Sequence, residues 1–244
     1  MKKTHFILLS FLAYFLFAGN GCNKRVYDSL INYNSPTPII YESLHDSVKL
    51  NKFIGADLRY SKGNYDKEDL ALLRLNYSYV STKENSFSNT SIIAFGGYYK
   101  VNGLGPKQGA NYTDIDYDGR KWGTGLLGNI KLGLNFKFDD FKLGSGIDFL
   151  AGLETGEFLD FRNSAKSQGV IDSDRGWAST NLNIFLFSSY RFQNSSIFNL
   201  QLNVGYPGGI SPILSYQHRD NIYWISFLGN RGNIGIMKSL ETNF

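Results

Sequence analysis

Several things are scarce in this chain, and each shortage excludes a class. One cysteine in 244 residues rules out a disulfide scaffold. Nothing in the sequence has the form of a zinc cysteine cluster, a phosphate loop or a dinucleotide fingerprint. No apolar run of about 18 residues follows the N-terminus, which excludes a helical polytopic membrane protein. Charged residues make up 19%, below the usual ~25%. The longest local basic cluster is Lys24-Arg25, so no basic stripe marks a nucleic-acid binder. What is abundant is aromatic and small: 16 Tyr, 19 Phe and 26 Gly, with only two Met and five Pro. Disordered chains lack aromatics and carry more charge. The balance favours a β-rich exported protein.

Met1 to Cys22 reads as an export segment. Lys2-Lys3 form a positive n-region, Phe6 to Ala18 an apolar h-region of 13 residues, and Ala18-Gly19-Asn20-Gly21 a small-residue cleavage region. The only cysteine follows at once. This segment resembles a bacterial lipoprotein signal, although Gly19 and Asn20 depart from the usual residues there. The resemblance implies removal of residues 1–21 and lipidation of Cys22, with outer-membrane lipid as partner. Two acyl chains suffice for durable anchoring. Losing Lys2 and Lys3 lowers the formal charge from +4 to +2. Residues 22–49 lack periodicity, and Ser35-Pro36-Thr37-Pro38 is an extended, turn-rich stretch. They read as a tether, with a short helix near Tyr41 to Val48.

From Phe53 onward the dominant period is two, the mark of strands. In Leu126 to Phe138, Leu126, Ile130, Leu132, Leu134, Phe136 and Phe138 share a face, while Asn129, Lys131, Asn135 and Lys137 share the other. Asp139-Asp140 forms a tight turn, and Phe141 to Leu153 resumes the alternation, giving a long hairpin. The same pattern recurs until ten candidate strands are counted, the last running to Phe244. Several match the roughly 9–11 residues of a tilted transmembrane strand. Aromatics near the run ends (Tyr60, Tyr98, Trp122, Phe138, Tyr190, Phe192, Trp224) fit interfacial girdles. Alternation alone does not choose between two architectures. In a membrane barrel the polar face points inward; in a soluble, lipid-tethered barrel it faces water.

If the first strand starts from the periplasm, both long connections, Asn102–Gly123 and Thr155–Trp177, fall outside. Short turns such as Asp139–Asp140 then fall inside, and both chain ends are periplasmic. The pattern over about residues 50–244 resembles small bacterial outer-membrane β-barrel proteins. It implies an all-β, antiparallel, up-and-down barrel of about ten strands in the outer membrane of a Gram-negative bacterium. The fold brings no activity with it.

Three constellations carry chemistry. Asp114, Asp116 and Asp118 followed by Gly119 have the opening spacing of a calcium loop, in which alternate carboxylates converge on a hard cation. Position twelve, where a bidentate Glu belongs, is Gly125. Calcium is therefore the one cofactor to test, against a solvated loop tip. His218 lies near Ser215 and Asp220, the residue types of a lipid-modifying barrel enzyme, but at the periplasmic end and without the Ser spacing of the deacylases. Tyr112, Tyr117, Arg120, Trp122, Phe161 and Arg162 in the long connections form a candidate contact surface, since aromatics and Arg dominate interface energetics. The expectation is a lipid-anchored, non-enzymatic barrel whose outer loops meet an unidentified protein or ligand and no nucleic acid. The alternatives are a soluble tethered barrel for a small apolar ligand and a lipid-modifying enzyme.

Overall fold

The computed structural model describes residues 25–33, 37–40, 49–104, 117–172, 176–194, 196–206, 209–228 and 231–240. The predicted helix near Tyr41 to Val48 lies outside them, as do the signal segment, Cys22, Tyr112, Asp114 and Asp116. A two-residue strand β1 (Arg25–Val26) precedes β2 (Lys49–Lys62), β3 (Asp69–Thr82), β4 (Ser86–Val101), β5 (Gly119–Phe138) and β6 (Phe141–Thr155). Helix α1 (Glu157–Ser167) and a short β7 (Ile171–Asp172) lead to β8 (Ala178–Arg191), β9 (Ile197–Tyr206), β10 (Gly209–His218), β11 (Asn221–Leu228) and β12 (Arg231–Ser239). Ten of these strands form a closed barrel, each antiparallel to its sequence neighbour, with β12 sealed against β2. β1 and β7 pair separately, in parallel.

The predicted alternation is realised in register. Asp139 adopts φ 49 and, with Asp140, joins β5 to β6, which pair from Phe138↔Phe141 upward. β5 takes in the last five residues of the predicted connection, so Gly119 to Gly123 belong to the wall. Strand length is uneven: β2 to β8 of the barrel have 14–20 residues, β9 to β12 only 8–10.

The polarity is inverted relative to a water-soluble protein. Leu126 and Ile184 are 57% and 61% exposed, whereas Arg74 and Lys131 are fully buried. The apolar face looks out, and the face bearing Asp57, Arg59, Arg74, Asn129, Lys131, Asp148 and Glu154 looks into the lumen. Of the predicted girdle residues Tyr60, Trp122, Phe138, Tyr190 and Phe192 are exposed, but Trp224 is buried in the lumen. Register sets opposite charges face to face. Arg74 is opposite Asp57, with Nε 2.6 Å from Oδ1, and Lys131 is opposite Asp148, with Nζ 3.9 Å from Oδ2. Several inward glycines make room for rings. Gly125, Gly133, Gly144 and Gly146 lie directly across from Phe95, Phe87, Phe187 and Phe185, and a Cβ at any of them would stand within 2.6 Å of that ring.

The lumen is also filled from within by the chain's own N-terminal segment. The described part of the stretch read as a tether is buried inside the barrel instead of lying free outside it. Tyr27, Leu30, Ile31 and Tyr33 pack with Leu70, Leu72, Phe95, Tyr99, Leu127, Phe158 and Phe161 toward the long-connection end. Ile40 packs with Phe53, Val80, Ile222, Trp224 and Met237, and Ile39 with Phe87, Phe185 and Phe187, toward the short-turn end. Arg25 therefore sits at the end opposite to Lys49. A periplasmic N-terminus and external long connections cannot both describe residue 25.

Candidate functional site

The features that set this barrel apart are concentrated in the lumen and its cap. Glu154, on the inward face of β6, joins three elements. Its Oε2 accepts from the Ser29 hydroxyl at 2.7 Å and the Leu30 amide at 2.6 Å, and its other oxygen pairs with Arg162 of α1. Glu68, before β3, gathers a second set at the rim. It accepts from the hydroxyls of Tyr27 at 2.5 Å and Tyr99 at 2.8 Å, and meets Arg25 at 3.5 Å. Burial, and then its bond to Glu68, hold the Tyr27 phenol above its ordinary pKa. Lower down, Lys131 donates to the Thr37 carbonyl at 2.7 Å and hydroxyl at 2.5 Å, and the Ile39 amide donates to Gln201 at 2.8 Å. The segment is thus tied to the wall at several heights.

α1 completes the cap. Phe158, Phe161, Arg162 and Ala165 are its buried residues, one stripe at helical spacing, and Gly156 at φ 112 turns the chain into it. That stripe was the signal available in the sequence for an element read there as loop. Phe158 stacks on Tyr99 at 5.0 Å between ring centres, and Phe161 meets Tyr27 edge-on at 5.5 Å.

This packing revises the contact-surface expectation. Tyr117, Phe161 and Arg162 are buried in the cap, so they hold the protein together instead of facing a partner. Arg120 and Trp122 lie on β5, not in a loop. The Tyr98 ring meets Trp122 at 5.5 Å and carries the Arg120 guanidinium at 4.8 Å. That cluster stands on the exposed rim, as an interfacial girdle does. Asp118 accepts the Leu104 amide at 2.9 Å and so closes the loop between β4 and β5. Gly125, the twelfth position of the calcium pattern, lies inside β5. Among the described residues no group of three or more His, Cys, Asp or Glu could hold a metal; Asp114 and Asp116 are outside that search.

His218 and Ser215 are not brought together. Ser215 points into the lumen, where Asn199 donates to it at 3.2 Å, while His218 is on the opposite face of β10. His218 Nδ1 instead lies 2.8 Å from the Ser196 hydroxyl, which also accepts from Tyr216 at 3.0 Å. Ser196 is fully buried. With the Tyr216 ring parallel to it, His218 reads as part of a polar knot beneath the lower girdle.

Fold and lumen together define an antiparallel β-barrel, closed, ten-stranded and internally filled, with an apolar outer face. No protein-family model and no curated protein matches the chain. Among solved structures it is similar to the translocator domain of autotransporter NalP from Neisseria meningitidis, at 10% identity and a TM-score of 0.34, covering 80% of this chain and 88% of that one. That likeness is too distant to bear on function.

Proposed function

We propose that the protein is a non-enzymatic outer-membrane barrel that keeps its own lumen closed and presents its capped, long-connection end at the cell surface. The inverted polarity carries this reading. A wall with Leu126, Ile130, Ile184 and Ile234 outside and paired charges inside suits hydrocarbon and exposes a continuous apolar band in water. Among the described residues no helix is long and apolar enough to cross a membrane. The same polarity opposes the soluble reading, and the apolar side chains inside the lumen are already packed against the N-terminal segment and one another, among charged and amide groups. Cys22 stands three residues before Arg25. With the long connections outside, lipidation of Cys22 anchors the chain beside the cap, and the partner-binding role falls to the exposed rim around Arg120 and Trp122.

The test has two arms. In detergent, the mature chain with Cys22 replaced by Ser is expected to stay detergent-dependent and to migrate faster on a gel before boiling than after. A mature domain soluble without detergent would sink the reading. On intact cells, a membrane-impermeant amine reagent is expected to reach exposed Lys67, between β2 and β3, and not exposed Lys83, in the turn between β3 and β4. The reverse pattern would invert the orientation and return the N-terminal side to the periplasm.

A further inference from the structure

We propose that the lumen contains a binding site for a small anion, built around Arg59. Arg59 lies on the inward face of β2, is fully buried, and has no hydrogen-bond partner for Nε, Nη1 or Nη2. Other buried cations have acceptors: Arg74 holds Asp57, Lys131 holds Thr37 and faces Asp148, and Arg162 holds Glu154. Arg74 and Arg231 add positive charge around Arg59, and Asp57, already bound to Arg74, is the carboxylate that opposes them. Two fully buried guanidiniums, with the half-buried Arg231 beside them, against one carboxylate leave positive charge uncompensated. A buried charge of that kind needs a counter-charge.

The neighbouring wall supplies further donors. Register places Asn233 of β12 opposite Arg59 and Ser226 of β11 opposite Asn233, and all three face the lumen. The Asn233 amide nitrogen and the Ser226 hydroxyl have no partner, and neither have the Asn233 side-chain oxygen and the second Asp57 oxygen. Two residues further along each strand, Asp57, Gly235 and Trp224 line up. A Cβ at Gly235 would stand 2.2 Å from Trp224; its absence lets the indole lie across β12, where Nε1 also lacks an acceptor. Guanidinium, amide, hydroxyl and indole N–H groups on three adjacent strands all donate hydrogen bonds. The ligand that answers them is a compact anion: a halide, or the oxyanion of a free phosphate.

The site requires the closed barrel and not membrane residence, so its test is independent of the localisation reading. Crystals of the detergent-purified full mature chain grown in sodium bromide are expected to show an anomalous peak within hydrogen-bond distance of Arg59, absent in Arg59→Met. In solution, the temperature at which the compact gel form is lost is expected to rise with sodium bromide, relative to sodium gluconate at equal ionic strength. A parallel series in sodium phosphate identifies an oxyanion site if it stabilises where bromide does not. Asn233→Asp places a carboxylate beside Arg59 and is expected to abolish the anion response while raising the unfolding temperature, a readout that stands even if Arg59→Met does not fold. Only water at Arg59, or anion responses unchanged in Asn233→Asp, overturns the proposal.

Discussion

Glu154 is the residue on which plug, helix and wall converge, so its removal should be felt by all three. Taking one partner from a buried ion pair leaves the other charge uncompensated, which costs about 3–5 kcal/mol. Glu154→Ala is expected to lower the temperature at which the compact gel form is lost and to expose Ser29 and Leu30 to added protease. Arg162→Ala should do much of the same, and the double variant should cost less than the two singles together, because they break one interaction. At the rim Tyr27 gives a pH prediction. Its phenol keeps a proton in the folded protein that an unfolded tyrosine releases near pH ~10. The folded state therefore binds more protons above that pH, so this contribution is intact below about pH 10 and is lost as pH rises further. Protease sensitivity of the N-terminal segment should rise above pH 10 in the wild type, with a smaller rise in Tyr27→Phe.

Among the elements, the N-terminal segment is the one whose removal should change behaviour most without unmaking the fold. Barrel strands pair only with each other, from β2 round to β12, so closure does not require residues 25–40. Deleting them is expected to leave a heat-modifiable barrel of lower stability that conducts ions in planar bilayers where the full chain is silent. A silent deletion variant would mean that side chains alone seal the lumen. This segment was also what the sequence hid. Strands announce themselves locally, because Leu126 to Phe138 alternates whatever lies around it, and Asp139-Asp140 marks its own turn. Residues 25–40 have no period, since a chain running through a lumen is contacted on every side and needs no amphipathic face. Their partners, Glu154, Lys131 and Gln201, are between 94 and 162 residues away in sequence. Trp224 is ambiguous in the sequence for a related reason: an aromatic near a strand end suits a girdle or a lumen equally, and only the register with Gly235 and Asp57 shows which. By contrast, the α1 stripe Phe158, Phe161, Arg162 and Ala165 is legible at a period of 3.6 inside a long connection.

For the molecule as a whole, the question left open by alternation is which solvent the outer face meets, and one side chain can answer it. Ile184 lies midway along β8, faces outward and is 61% exposed. It pairs with Ile147 on one side and Val204 on the other, both also exposed, so it sits in the middle of the apolar band. If hydrocarbon covers that band, Ile184→Lys places a charge near the bilayer midplane. That costs about 2–4 kcal/mol, falling toward the interfaces. If water covers it, the same substitution removes an exposed apolar group, leaves stability within the usual surface range of about 0.5 kcal/mol, and improves solubility. The comparison is sharpened by Phe192→Lys, because Phe192 is exposed just past the end of β8, where an interfacial lysine costs little in either solvent. Folding into vesicles, followed by urea titration of the compact gel form, is expected to show a clear loss for Ile184→Lys and almost none for Phe192→Lys. Equal, small effects at both positions would show that depth along the barrel has no meaning, and with it the membrane assignment would fall.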